Sequence, residues 1–153
     1  MNGPLDRTTL ADREAGFRAV LDHAGHPLED KFYYQQDFHK QAFRQFGMDI
    51  GSSDARPQAI ACGNDLIAIQ ILNGLRAVGC RVPEDIWVVG FDGIEMSGWD
   101  IIDLTTVQQP VDLMAKEAAD LLLEQISGTR MKPKVRRFRS ELVIRGSTDN
   151  MGR

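Results

Sequence analysis

The 153 residues suffice for one compact domain, burying about two thirds of the surface the unfolded chain exposes. Their 42% hydrophobic and 26% charged content is ordinary for a globular protein. A formal net charge of −4 offers no general attraction to nucleic acid or to an anionic membrane, and no run approaches the roughly 18 apolar residues that span a bilayer. The amino terminus lacks the apolar centre of a secretion signal, so a cytoplasmic location is expected if Met1 is the native start.

The spacing of Leu10, Phe17, Val20, Leu21 and Ala24 predicts a helix over Thr9 to Ala24, ended by Gly25 and Pro27. Lys31 to Gln35 (KFYYQ) reads as a short aromatic strand. His39 to Met48 reads as a second helix with Ala42, Phe43 and Phe46 on one face, and Gly51 to Arg56 as a polar loop. A strand is expected over Pro57 to Cys62, then a helix from Asp65 to Val78 closed by Gly79. That helix is apolar at Ala68, Ile71, Leu72, Leu75 and Val78, which suits the covering of a sheet. A second set, Leu66, Ile69 and Asn73, lies off the stripe, and a helix with one buried face has no need of Ile69.

Ile86 to Phe91 (IWVVGF) is a continuous apolar run, as in a parallel strand buried on both faces. After LTTVQQ, Pro110 suits the first position of a helix, with Asp112 adding favourable charge near its amino end. Val111, Met114, Ala118, Leu122 and Ile126 form one stripe, widened by Ala115, Ala119 and Leu123, so a helix is expected to Ser127. The basic run Arg130, Lys132, Lys134, Arg136, Arg137 and Arg139 contains only Phe138 as an aromatic. It reads as a charged edge strand more readily than as a nucleic-acid patch. Glu141 to Arg145 closes the chain as a last strand. The expected class is α/β, with a mostly parallel Rossmann-like sheet flanked by helices and no linker dividing residues 1–153 into independent domains.

In such a sheet the carboxyl ends of the strands share one rim, where ligands bind. Asn64-Asp65 follows one strand and Asp92 another, so residues far apart in sequence should meet there. Arg13 lies early in the first helix, whose amino end should face the same rim. Its guanidinium offers donors in a fixed fork; the alternative is a surface arginine engaged by a local acid, Asp12 or Glu14. Asn64 suits the cap of the following helix, a role compatible with ligand contact through its amide. Asp65 reads as a first-turn helix charge. Asp92 can accept from two hydroxyls or a base nitrogen, or can simply occupy a turn before Gly93. Arg, Asn, Asp and Gln with an aromatic suit recognition of a sugar or nucleoside and make a poor catalytic set, because His23, His26 and His39 have no nucleophile beside them. Cys62 and Cys80 match no metal spacing and read as buried reduced thiols. No catalysis, metal or cofactor is expected.

Several motifs in order carry a family likeness: Asn2-Gly3-Pro4, Arg13 with Gly16-Phe17, Asn64-Asp65, Val82-Pro83-Glu84-Asp85-Ile86, Val89-Gly90-Phe91-Asp92, Leu104-Thr105-Thr106-Val107 and Glu141 to Thr148 (ELVIRGST). Together they resemble the effector-binding domain of LacI/GalR-type bacterial transcription regulators. Solute-binding proteins of sugar transporters share that fold and are the alternative. The resemblance implies two lobes with the effector between them. This chain would be the carboxyl-terminal lobe, lacking its first strand, its partner lobe and the DNA-binding helix-turn-helix. The helix over residues 111–127 would ordinarily pack in the absent lobe, so its apolar face is expected to pack on another chain or to swap. Effector contacts are implied at Arg13, Phe38, Asn64, Asp92 and Gln109, Phe38 being the aromatic that stacks on the effector ring or else a core residue. Leu66, Ile69 and Asn73, with Met96 and Trp99 of the loop from Ile94 to Asp103, are the expected dimer surface. The partners implied are a sugar-like or nucleoside-like effector, a second copy of the chain, and DNA only through the absent domain.

Overall fold

The computed structural model describes residues 2–3, 8–36, 42–128 and 135–149. In chain order its elements are α1 (Thr8–His23), α2 (Ala42–Gly51), β1 (Ala59–Ala61), α3 (Asp65–Ala77), β2 (Trp87–Asp92), β3 (Thr105–Gln108), α4 (Val111–Ile126) and β4 (Glu141–Val143), with single 3-10 turns at Asp30–Phe32 and Glu95–Gly98. The sheet runs β1-β2-β3-β4. Its first three strands are parallel, and β4 joins antiparallel at one edge. The expected mostly parallel α/β sheet is therefore present.

The core packs helices against the sheet. Phe43 of α2 and Ile67, Ala68, Ile71, Leu72 and Leu75 of α3 close over Ile60, Val88 and Leu104. The apolar side chains of α3 recur three and four residues apart, so a single stripe reaches the sheet. Two glycines allow α2 and α3 to touch backbone to backbone: a Cβ on Gly74 would collide with the Arg44 carbonyl oxygen. Cys62 and Cys80 are both free and buried, and burial pushes the Cys62 thiol up to about 12.

Several elements differ from their sequence reading. Strand β2 is buried on one face only. Val88 and Gly90 face α3, whereas Trp87 is 43% exposed and Val89 and Phe91 are half-covered. A continuous apolar run thus served a strand covered from one side. The KFYYQ segment is a 3-10 turn followed by a single parallel bridge between Gln35 and Asn2. Asn2 donates its backbone N–H to Tyr34 O and accepts from Gln36 N, and pairing extends no further among the described residues. The strand expected over 57–62 shortens to Ala59–Ala61, and the final strand ends at Val143. Pro110 caps α4 from outside rather than occupying its first turn. Residues 135–140 carry no strand, and Arg136 there pairs with Glu117 of α4 at 2.8 Å. Arg130, Lys132 and Lys134 lie outside the described residues.

Two helices sit apart from the core. Of the predicted α1 stripe only Leu10 is buried, and Phe17 and Val20 are exposed. Helix α4 buries nothing: Val111, Leu113, Leu122, Leu123 and Ile126 are all exposed.

Candidate functional site

The carboxyl edge of the sheet collects side chains from four separate segments. The turn after β1 contributes Gly63 and Asn64, the end of β2 contributes Asp92, the residue after β3 is Gln109, and α1 brings Arg13 from above. Arg13 donates through Nη1 to the Gly63 carbonyl oxygen at 2.7 Å. Its Nη2 lies 2.8 Å from Asp92 Oδ1, and its guanidinium stacks 4.0 Å over the centre of the Phe91 ring. Gln109 donates from Nε2 to the same Asp92 oxygen at 2.8 Å, while its backbone N–H donates to the Asp92 carbonyl. Of the local acids considered as alternatives for Arg13, Glu14 accepts from Arg18 Nε instead.

Asn64 caps α3, its Oδ1 accepting from Ile67 N at 2.9 Å. That bond uses the carbonyl end of the side chain, and the amide end is the part suited to a ligand. Phe38 lies outside the described residues. The structure thus brings Arg13, Asp92 and Gln109 into direct contact and sets Asn64 beside the Gly63 carbonyl that Arg13 grips.

Asp92 has φ +124°, a conformation costly for any residue but glycine. Gly93 follows at φ +73°, where a side chain would also run into Gln108. The strand therefore ends in a strained reversal that turns the Asp92 carboxylate toward Arg13. Arginine, carboxylate and amide form a polar cluster without net charge, over an aromatic ring. That arrangement is fit to exchange its internal hydrogen bonds for those of a neutral ligand rich in hydroxyls.

Sequence reasoning missed the residue that supports this rim. Asp65, read as a helix-end charge, is fully buried. Its Oδ2 accepts from Gly93 N and Ile94 N, each at 2.9 Å, and its Oδ1 accepts from Thr106 Oγ1 at 2.5 Å. It ties α3 to the loop after Asp92 and to β3. Gly90 is the matching void, since a Cβ there would strike the Asp65 carboxylate. No local pattern separates such an aspartate from an ordinary first-turn acid. The nearest hint is Thr106 on the neighbouring strand.

On the outer surface of α3, Leu66 is 51% exposed and Asn73 exposed, while Ile69 packs partly against the core. Trp99 is 50% exposed and Met96 half-buried. Arg76, on the same helix, donates to the Ile101 carbonyl at 2.5 Å, making helix and loop neighbours. Ser97, at the foot of that loop, receives an Arg145 Nη1 hydrogen bond at 3.2 Å, and Ser147 Oγ donates to Val88 O at 2.6 Å. The carboxyl-terminal segment is so laced across the opposite end of the sheet from Asp92. Among the described residues no group of His, Cys, Asp and Glu is placed to hold a metal, and no helix is long and apolar enough to cross a membrane.

Residues 2–148 match the family model of the periplasmic binding protein-like domain. The HTH-type transcriptional repressor PurR of Escherichia coli O1:K1 / APEC is 32% identical over 145 residues, which is 95% of this chain and 42% of that protein. Among solved structures, the transcriptional regulator CelR–cellobiose complex superposes with a TM-score of 0.85 at 30% identity, over 96% of this chain and 45% of that one. A LacI family transcriptional regulator from Enterococcus faecium with bound ribose gives 0.81 at 27% identity, over 96% and 53%. The chain thus spans about half the length of the relatives it matches. It belongs to the periplasmic binding protein-like domain family and corresponds to the effector-binding portion of LacI-type transcription regulators.

Proposed function

We propose that this chain is the ligand-sensing and self-association lobe of a LacI-type regulator, and that Arg13, Asn64, Asp92 and Gln109 form one side of a pocket for a small sugar-like or nucleoside-like effector. The observation that carries this reading is the convergence of Arg13, Asp92 and Gln109 at the carboxyl edge of a parallel sheet. Cellobiose and ribose, bound in two relatives of the same fold, support the sugar class. The set is one of binding and not of catalysis: a carboxylate already shared by Arg13 and Gln109, with no nucleophile beside it among the residues described, has no proton-transfer task. The repressor names of the curated relatives favour a regulator acting in the cytoplasm over a transporter's solute-binding protein.

In this reading effector binding shifts the balance between two lobe arrangements and thereby the placement of DNA-binding heads. The uncovered face of α4 meets a partner lobe of the same fold or a neighbouring chain. Leu66, Asn73 and Trp99 meet a second copy across a two-fold axis.

Calorimetric titration of this chain with D-ribose and with cellobiose tests the pocket. Binding in the millimolar range, about −4 kcal/mol, is expected from half a pocket, with loss of the signal in Arg13→Ala and Asp92→Asn. Micromolar affinity for the isolated chain, or unchanged affinity in both variants, overturns it. Light scattering should give a dimer or larger, reduced toward monomer by Leu66→Arg.

A further inference from the structure

Arg13 can receive a ligand only if α1 stays put when its bonds to Asp92 and Gly63 are exchanged, and apolar packing gives α1 little hold. Leu10 is its one buried residue. The remaining grip is polar and centres on Glu14, the neighbour of Arg13. Tyr33 OH donates to Glu14 Oε2 at 2.5 Å, Arg18 Nε to Oε1 at 2.8 Å, and Asn2 Nδ2 to Oε2 at 3.3 Å. Asn2 Nδ2 also donates to the Leu10 carbonyl at 3.2 Å, while its backbone is bonded to Tyr34 and Gln36. Arg18 stacks 4.9 Å from the centre of the Tyr33 ring and donates to Leu28 O at 3.3 Å. Three segments, residues 2–3, 28–36 and α1, therefore meet at a single carboxylate. Successive residues on a helix point about 100° apart, so Glu14 clamps one flank of α1 while Arg13 reaches down the other.

We propose that Glu14 is a positioning residue: by gathering Tyr33, Arg18 and Asn2 it fixes α1 over the strand ends and so holds Arg13 against Asp92 and Phe91. The value of this for effector binding rests on Arg13 contacting the effector, whereas the clamp itself does not. The hydrogen bonds of the clamp involve neither Asp92 nor the Gly63 carbonyl, so they persist when a ligand takes over those contacts, although Asn2 packs against Gly63, where a Cβ would strike its Oδ1. Phe17 and Val20 are both exposed, and Leu10 alone is buried, which leaves the position of α1 sensitive to Glu14.

The test is the reaction of Arg13 with phenylglyoxal, followed by peptide mass spectrometry on the whole chain, with exposed Arg44 of α2 as internal standard. Glu14→Ala should raise the Arg13 rate about three-fold or more, the size expected for lost charge-assisted hydrogen bonds. Glu14→Gln, which keeps an acceptor for Tyr33, should fall between Glu14→Ala and the parent, and Arg44 should not change. If Glu14→Ala fails to fold, Tyr33→Phe removes one hydroxyl and should still raise the rate about two-fold. An Arg13 rate that does not change in any folded variant, or that changes only in step with Arg44, overturns the proposal. The effector reading is separated by titrating Arg13→Lys with D-ribose and cellobiose. If Arg13→Lys binds like the parent while Glu14→Ala still exposes Arg13, the clamp stands and the effector contact falls.

Discussion

Helices α3 and α4 both carry an apolar stripe at helical spacing, yet α3 buries seven residues and α4 none. Both begin with an acid in the first turn, Asp65 and Asp112, but only Asp65 is enclosed. An apolar stripe records that a face is meant to be covered. It does not record whether the covering partner lies within the same stretch of chain. Helix α1 stands between the two, held by one buried leucine and a polar clamp.

The comparison breaks or holds first on truncations in the two stripes. Leu72→Ala in α3 should cost about 2–5 kcal/mol, as for a fully buried leucine whose removal leaves a cavity, whereas Leu122→Ala in α4 should stay within about 0.5 kcal/mol. Urea unfolding followed by circular dichroism measures both. An equally large loss at Leu122 would reveal that α4 is packed in solution, against another chain. The two first-turn acids sharpen the contrast next. Asp65→Ala strands two part-buried N–H groups and the buried Thr106 hydroxyl and should cost about 3 kcal/mol. Asp112→Ala forfeits only its favourable charge at the helix end, about 0.5 kcal/mol.

A smaller effect distinguishes the rim from the core. Asp92→Gly relieves the backbone at φ +124° and should leave stability unchanged or raise it by about 1 kcal/mol, while abolishing effector binding. A clear drop in stability would mean that the Arg13–Asp92 pair outweighs the strain.

The smallest effect concerns α1 and pH. Partial burial and the bond to Glu14 push the Tyr33 phenol up to about 12. Its contribution is therefore complete below the ordinary value of 10.0 and fades as pH rises toward 12. For Glu14, partial burial alone would raise the carboxyl, but hydrogen bonds from Tyr33, Arg18 and Asn2 outweigh it and hold the pKa below its ordinary value of 4.5. That contribution is present above pH 4.5 and is lost as pH falls through the lowered value. Helix content should decline modestly at both extremes, and Tyr33→Phe should remove the alkaline limb. A limb that survives in Tyr33→Phe would place its origin elsewhere.

Local pattern was enough for the elements themselves. Period and punctuation marked α3, β2 and α4 to within a residue or two, because hydrophobic spacing, Gly79 and Pro110 act within a few residues of chain. The order of strands and polar residues also indicated which edge would bear the rim, since parallel strands must end together. Tertiary structure alone decided which of those groups meet. The Arg13–Asp92 pair joins α1 to the end of β2, with α2, β1 and α3 between them in the chain. The enclosure of Asp65 depends on a glycine and a threonine in other strands, and the exposure of Trp87 and of α4 depends on layers that do not cover them. Contacts over such separations leave no periodic trace, because each is fixed by where folded backbones cross and not by its neighbours in sequence.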